Sequence, residues 1–173
     1  RPQDLAAWGA ASADAQLVAY FGWETAREHV SRIDPGTNAV FLAGAASWAF
    51  GSFGPSMRYH VENFRAALDS PGEWYLDRRE GKLFYWPLPG ETPEKSRVIA
   101  PMVSQFVLFQ GSPTSETQTV EHITLRGLGF RHGQYLLPPE GQSDRQAACH
   151  LPAVIMADGA SRIHIERCSI SHT

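Results

Sequence analysis

The chain has little of what a disulfide scaffold, a membrane span or a nucleic-acid binder requires. Two cysteines among 173 residues are too few for a disulfide framework and fix no redox compartment. No apolar run approaches the roughly 20 residues of a membrane-spanning helix. Lys+Arg 15 against Asp+Glu 18 leave a formal net charge of −3, so the basic footprint expected for a nucleic-acid or anionic-membrane partner is missing. The sequence contains no G-x-S-x-G, H-E-x-x-H, P-loop or C-x-x-C, which weakens serine-hydrolase, zincin, nucleotide-binding and zinc-ribbon readings. No initiator Met or signal peptide precedes Arg1, and the chain closes on Ser171-His172-Thr173 directly after a strand-like alternation. These ends predict a piece of a longer protein and leave export unread.

What is present is an ordinary globular composition, 43% apolar and 19% charged, with enough chain for about one domain with a real core. Phe 9, Trp 5 and Tyr 5, together with 15 Gly and 12 Pro, predict many short strands separated by turns. They also supply planar side chains for flat ligands.

Residues 14–20 read as a short helix, and 27–33 with 39–42 as a hairpin around Asp34-Pro35-Gly36-Thr37. Residues 44–55 have neither period and read as an aromatic loop. Phe64, Ala67 and Leu68 give 61–69 one helical face, ended by Ser70-Pro71-Gly72. Residues 73–77 and 82–86 form a second, aromatic hairpin, with Gly81 able to take the positive φ of its turn. Alternation places Trp74 and Leu76 on one face and Tyr75 on the other. A small core and a sugar-stacking platform are both open readings, the core being favoured. Glu73 and Asp77 read as turn or salt-bridge groups.

The last seventy residues or so contain a repeat. Ile123-Thr124-Leu125-Arg126-Gly127-Leu128-Gly129-Phe130-Arg131-His132 aligns without gaps on Ile163-His164-Ile165-Glu166-Arg167-Cys168-Ser169-Ile170-Ser171-His172, an offset of 40. Upstream, Phe106-Val107-Leu108-Phe109-Gln110-Gly111 aligns on Val154-Ile155-Met156-Ala157-Asp158-Gly159 at an offset of 48. The difference is an 8-residue insertion, 112–119. One such unit cannot bury its own apolar face, whereas units stacked at the sheet spacing of about 4.8 Å make a continuous interior. This is the logic of a parallel β-helix; two strand pairs of a β-sandwich are the alternative. A buried thiol is expected at Cys168.

His132 and His172 hold the same place in the two units, so stacking makes them neighbours beside the long loop 133–152, which carries Tyr135, Glu140 and Asp144. Two readings stay open: part of a groove that holds a sugar hydroxyl or assists proton transfer, or an exposed histidine ladder without a task. His132, His172, Tyr135 and Asp144 are the candidate substrate-binding residues. Paired carboxylates are the working groups of glycoside hydrolysis, but Glu140, Asp144 and Asp158 lie in a loop or a turn, where carboxylates are usually solvated. No catalytic residue is assigned, and no metal or cofactor is expected.

Arg58-Tyr59-His60-Val61-Glu62-Asn63-Phe64, running into Leu68-Asp69-Ser70-Pro71-Gly72-Glu73-Trp74-Tyr75-Leu76-Asp77 and then Gly81-Lys82-Leu83-Phe84-Tyr85-Trp86-Pro87, resembles the signature of right-handed parallel β-helix repeat-containing proteins of the pectin-lyase-like superfamily. Gly127 to His132 and Ile170-Ser171-His172-Thr173 resemble coil endings of that group. The resemblance covers roughly residues 20–173. It implies an all-β chain: a small inserted β-rich subdomain with one short helix over 1–96, then the first coils of a parallel β-helix over 97–173. It also implies a secreted, periplasmic or surface carbohydrate-active protein, first a glycoside hydrolase on plant or algal polysaccharide, with a polysaccharide or oligosaccharide as partner. The family's catalytic carboxylates lie on later coils, so this chain is expected to lack them. A polysaccharide lyase on the same fold and a non-catalytic carbohydrate-binding protein are the alternatives, because the signature supports the fold more strongly than the reaction.

Overall fold

A computed structural model of the chain describes residues 14–173. The chain divides into two compact units. The first holds the described residues through Ser96 together with Leu137–His150, and the second holds Arg97–Leu136 with Leu151–Thr173. The sequence places the whole of 133–152 beside the coils of 97–173; in the structure its central part packs with the first unit. The part of the 1–96 region before residue 14 lies outside the described residues.

The first unit is built on a four-stranded antiparallel sheet of β1 (Gln16–Tyr20), β2 (Thr25–Asp34), β3 (Ala39–Leu42) and β4 (Arg58–Glu62), in the order β3-β2-β1-β4. The 14–20 helix is therefore overturned. A segment of seven residues cannot sustain a helix alone, whereas β1 bonds on both edges, Val18 standing opposite Arg27 of β2 and His60 of β4. Leu17, Val18 and Ala19 are all buried, which explains why this strand reads as an apolar run without alternation. Along β2 the alternation is clear: Ala26, Glu28 and Val30 turn inward. The helix read over 61–69 is also replaced. β4 runs to Glu62, Asn63 turns the chain at φ 58, and only a 3-10 turn, Arg65–Ala67, follows. Phe64 enters the core from this corner, beside Leu17, Ala19, Phe21 and Val30.

β5 (Trp74–Asp77) and β6 (Lys82–Tyr85) form the second hairpin, with Tyr75 opposite Phe84. Their rings stack at 6.1 Å. Tyr75 is buried, but Trp74 is 64% exposed and Trp86 44%, so the hairpin holds one buried ring rather than an aromatic core. Glu73 receives the backbone N–H groups of Asp69 and Ser70 at 2.8 and 2.9 Å, and Asp77 that of Glu80 at 3.0 Å. Both acids serve turns, as their positions predict.

The second unit is assembled from parallel pairs. β7 (Val107–Gln110) pairs with β11 (Ile155–Asp158) at the offset of 48. β8 (Val120–Glu121), β9 (Thr124–Arg126) and β10 (Gly129–Arg131) pair with β12 (Ala160–Ser161), β13 (His164–Glu166) and β14 (Ser169–Ser171) at the offset of 40. Between these short strands sit residues with left-handed backbone: His122, Gly127 and His132 in one copy, Arg162, Arg167 and His172 in the other. A corner thus recurs every five residues. Phe109 is buried, and Phe106 stacks on Phe130 at 5.8 Å. Cys168 is half-buried, its Sγ 3.6 Å from the Leu125 carbonyl oxygen.

The described residues are thus all-β apart from two 3-10 turns, Arg65–Ala67 and Glu116–Gln118, so the short helix expected in the first region is absent among them. No helix among them is long and apolar enough to cross a membrane.

Candidate functional site

The aligned histidines meet as the repeat requires. His132 and His172 face each other with ring centroids 4.8 Å apart and planes at 20°. Their backbones have φ 59 and 55, a region that most L-residues avoid but His, Asn and Asp tolerate better. The corner therefore gives a local reason for histidine here, independent of any ligand. Next to it, the Gly133 N–H donates to the His172 carbonyl at 3.1 Å and the Gln134 N–H to that of Val103 at 2.9 Å. Tyr135 follows in the same unit, 48% exposed.

Another corner of this unit is charged. Glu121 accepts from the Ser161 hydroxyl at 2.8 Å and from the Arg162 guanidinium at 2.9 Å, with His122 Nε2 3.6 Å away. The Ser161 hydrogen bond, opposed by partial burial and aided by Arg162 and His122, holds the Glu121 carboxyl below its usual range. Arg126 pairs with Glu166 directly across β9 and β13.

Of the four candidate residues, His132, His172 and Tyr135 lie in the second unit and Asp144 in the first. Its surroundings form an organised polar cluster. Asp144 is 7% exposed. Its Oδ2 accepts from Gln142 Nε2 at 3.1 Å and from the His150 backbone N–H at 3.2 Å, and its Oδ1 lies 2.5 Å from His150 Nδ1. Cys149 Sγ is 3.4 Å from the same ring nitrogen. The His150 hydrogen bond above all, with burial pulling the other way, holds the Asp144 carboxyl below its usual range. Sequence reasoning selected Asp144 but missed Cys149 and His150; their adjacency, five residues after Asp144, was the available signal.

The segment is anchored from below. Gln142 and Arg27 exchange backbone hydrogen bonds at 2.8 Å each. Ser47 and Ser143 bond twice, and the Ser143 hydroxyl donates to Glu24 at 3.1 Å. A Cβ on Gly44 would stand 1.8 Å from the Glu140 carbonyl oxygen, and one on Gly141 2.0 Å from Glu28 Oε2. Only glycine permits this approach. Above the same segment, Trp23, Trp48 and Phe53 pack edge to face with centroids 5.2 to 5.8 Å apart. Trp23 donates its Nε1–H to the Arg145 carbonyl at 2.9 Å while remaining 55% exposed. The loop read over 44–55 contributes Trp48 and Phe53 to this cluster.

No protein-family model matches the chain, and no curated protein matches it. A solved structure described as a glycoside hydrolase does, with a TM-score of 0.75 at 20% sequence identity. The match covers 91% of this chain and 33% of the other, so this chain spans about a third of that protein's length. The chain shares its fold with that part of a glycoside hydrolase.

Proposed function

We propose that the chain is the part of a carbohydrate-active protein in which a right-handed parallel β-helix of the pectin-lyase-like kind meets a β-rich insertion, and that the whole protein is an exported glycoside hydrolase acting on a plant or algal polysaccharide. The observation that carries this reading is the fold shared with a glycoside hydrolase over 91% of the chain. The four parallel pairs and the corner every five residues support a solenoid, because each short strand finds its hydrogen-bonding partner in its copy in the next turn. The stacked His132 and His172, with Tyr135 beyond them, are the proposed lining of the sugar groove on that solenoid.

Four of the described carboxylates weighed above are engaged in structure: Glu73 and Asp77 in turns, Glu121 with Ser161 and Arg162, Asp144 with His150. None is proposed as the acid or the nucleophile. Those groups are assigned to sequence outside this chain.

A panel of plant and algal glycans incubated with the full-length gene product tests the reading. Release of reducing sugar without unsaturated ends is expected; unsaturated products would make the protein a lyase. In that protein, His172→Ala should lower turnover at least about tenfold if the histidine assists proton transfer. An unchanged rate would leave the pair as a corner device. A non-catalytic carbohydrate-binding role is the second reading, favoured by the exposed Trp23 beside Trp48 and Phe53. Retention on glycan columns without turnover of any glycan would select it.

A further inference from the structure

We propose that Asp144, Cys149 and His150 form a binding site for one divalent transition-metal ion of the zinc class. Their donor atoms, a carboxylate oxygen, Sγ and Nδ1, all lie within 4.8 Å of one another. In a tetrahedral zinc site with bonds of about 2.0–2.3 Å, neighbouring donors stand about 3.3–3.7 Å apart. Of the present separations, the 3.4 Å from Nδ1 to Sγ already lies in that range and the 2.5 Å from Nδ1 to Oδ1 lies below it, so admitting an ion requires Nδ1 and Oδ1 to part by about 1 Å. A thiolate and an imidazole beside one carboxylate select zinc or a neighbouring transition metal over calcium or magnesium, which take oxygen ligands.

The direction of the donors decides between metal binding and nucleophilic catalysis. In a Cys-His-Asp nucleophile, the thiol and the acid use opposite ring nitrogens, so the imidazole can pass a proton from one to the other. Here Asp144 and Cys149 converge on the same nitrogen, Nδ1. That convergence cannot relay a proton through the ring, but it is what three ligands of one ion require. On binding, the Cys149 thiol proton leaves to solvent, Nδ1 gives its lone pair to the ion, and the ring proton resides on Nε2.

The cluster is also held before any ion arrives. Ala147 at φ 50 turns the chain back so that residues 149 and 150 return to Asp144. Gln142 and the His150 backbone N–H fix the second carboxylate oxygen, the kind of support that orients a metal-binding carboxylate. The His150 side chain is 83% exposed and Cys149 is exposed, which leaves the outer side open to water or an added ligand as remaining coordination.

Zinc titration of the full chain against a chromogenic chelator tests this. One equivalent should bind in the micromolar range or tighter, and zinc should protect one of the two thiols from a disulfide reagent. Cobalt loading should give a thiolate-to-metal charge-transfer band. Cys149→Ser should abolish that band, and Cys149→Ser and His150→Ala should each weaken zinc binding about tenfold or more, whereas Cys168→Ser should leave all three readouts unchanged. Because Cys149 and His150 are exposed, these variants keep the fold, and near-UV circular dichroism checks it. No stoichiometric binding, binding indifferent to both substitutions, or protection of Cys168 in place of Cys149 would overturn the proposal.

Discussion

Glu28 lies on the inward face of β2 between Ala26 and Val30, 1% exposed, and neither of its carboxylate oxygens has a hydrogen-bond partner. Burial pushes its pKa up, because desolvation penalises the charged form. A raised folded-state pKa gives a contribution that is fully present below the unfolded value near 4.5 and is lost as pH rises through the folded value. Glu28→Gln keeps the shape and removes the charge. It should therefore raise the melting temperature at pH 8 relative to the parent, and the gain should vanish near pH 4. Melting curves across that range check the sign; a variant less stable than the parent at pH 8 would show that the ionised carboxylate has a stabilising partner. Nothing in Arg27-Glu28-His29 announces a buried acid, because charged residues on a strand are ordinarily read as its wet face.

At the element scale, legibility followed the geometry of each segment. The β5–β6 hairpin was readable because alternation and Gly81 both mark it, and its turn acids behave as read. Its energetic centre was less so. Alternation separates Tyr75 from Trp74 but does not say which face is covered. Tyr75→Ala should cost about 3–5 kcal/mol, as for other buried aromatics, while Trp74→Ala should stay within about 0.5 kcal/mol; chemical denaturation measures both. The 14–20 and 61–69 segments were misread for another reason. The Ala-rich run at 14–20 and the apolar spacing of 61–69 fit a helix, yet cross-strand hydrogen bonds decide the matter, β1 pairing with the adjacent β2 and with the sequence-distant β4. Close backbone approach is equally invisible in a sequence. Gly44→Ala would force its Cβ to within 1.8 Å of the Glu140 carbonyl oxygen, so it should lift the 137–150 segment off β2. Faster proteolytic cleavage in that segment and a melting temperature lower by several degrees are the expected results.

At the scale of the whole molecule, the repeat was the most legible feature, since identical offsets in sequence became identical offsets in pairing. The candidate site was legible only in part. The His132–His172 stack follows from the repeat, whereas the anchoring of the 137–150 segment, which carries Asp144, through Gln142, Ser143 and Gly141 does not. Loop composition carries no record of such anchors. The 8-residue insertion gives a test of the repeat itself. In the second copy Gly159 runs straight into Ala160, while in the first Gly111 reaches Val120 through 112–119. Deleting 112–119 should leave the chain folded, with an unchanged circular dichroism spectrum and a melting temperature within a few degrees; a collapse of either would show that the insertion supports the ladder.

The closure of that insertion has a practical side. The Ser112 N–H donates to the Gln118 carbonyl at 2.8 Å, Gly111 to Asp158 at 2.7 Å and Val120 to Gly159 at 3.0 Å, so both ends are pinned at one root while the ladder continues undisturbed on either side. Chain length at this corner is uncoupled from register. A peptide epitope or a fluorophore-bearing loop spliced between Ser112 and Gln118 would be carried as cargo, displayed at a fixed place without resetting a single strand pair.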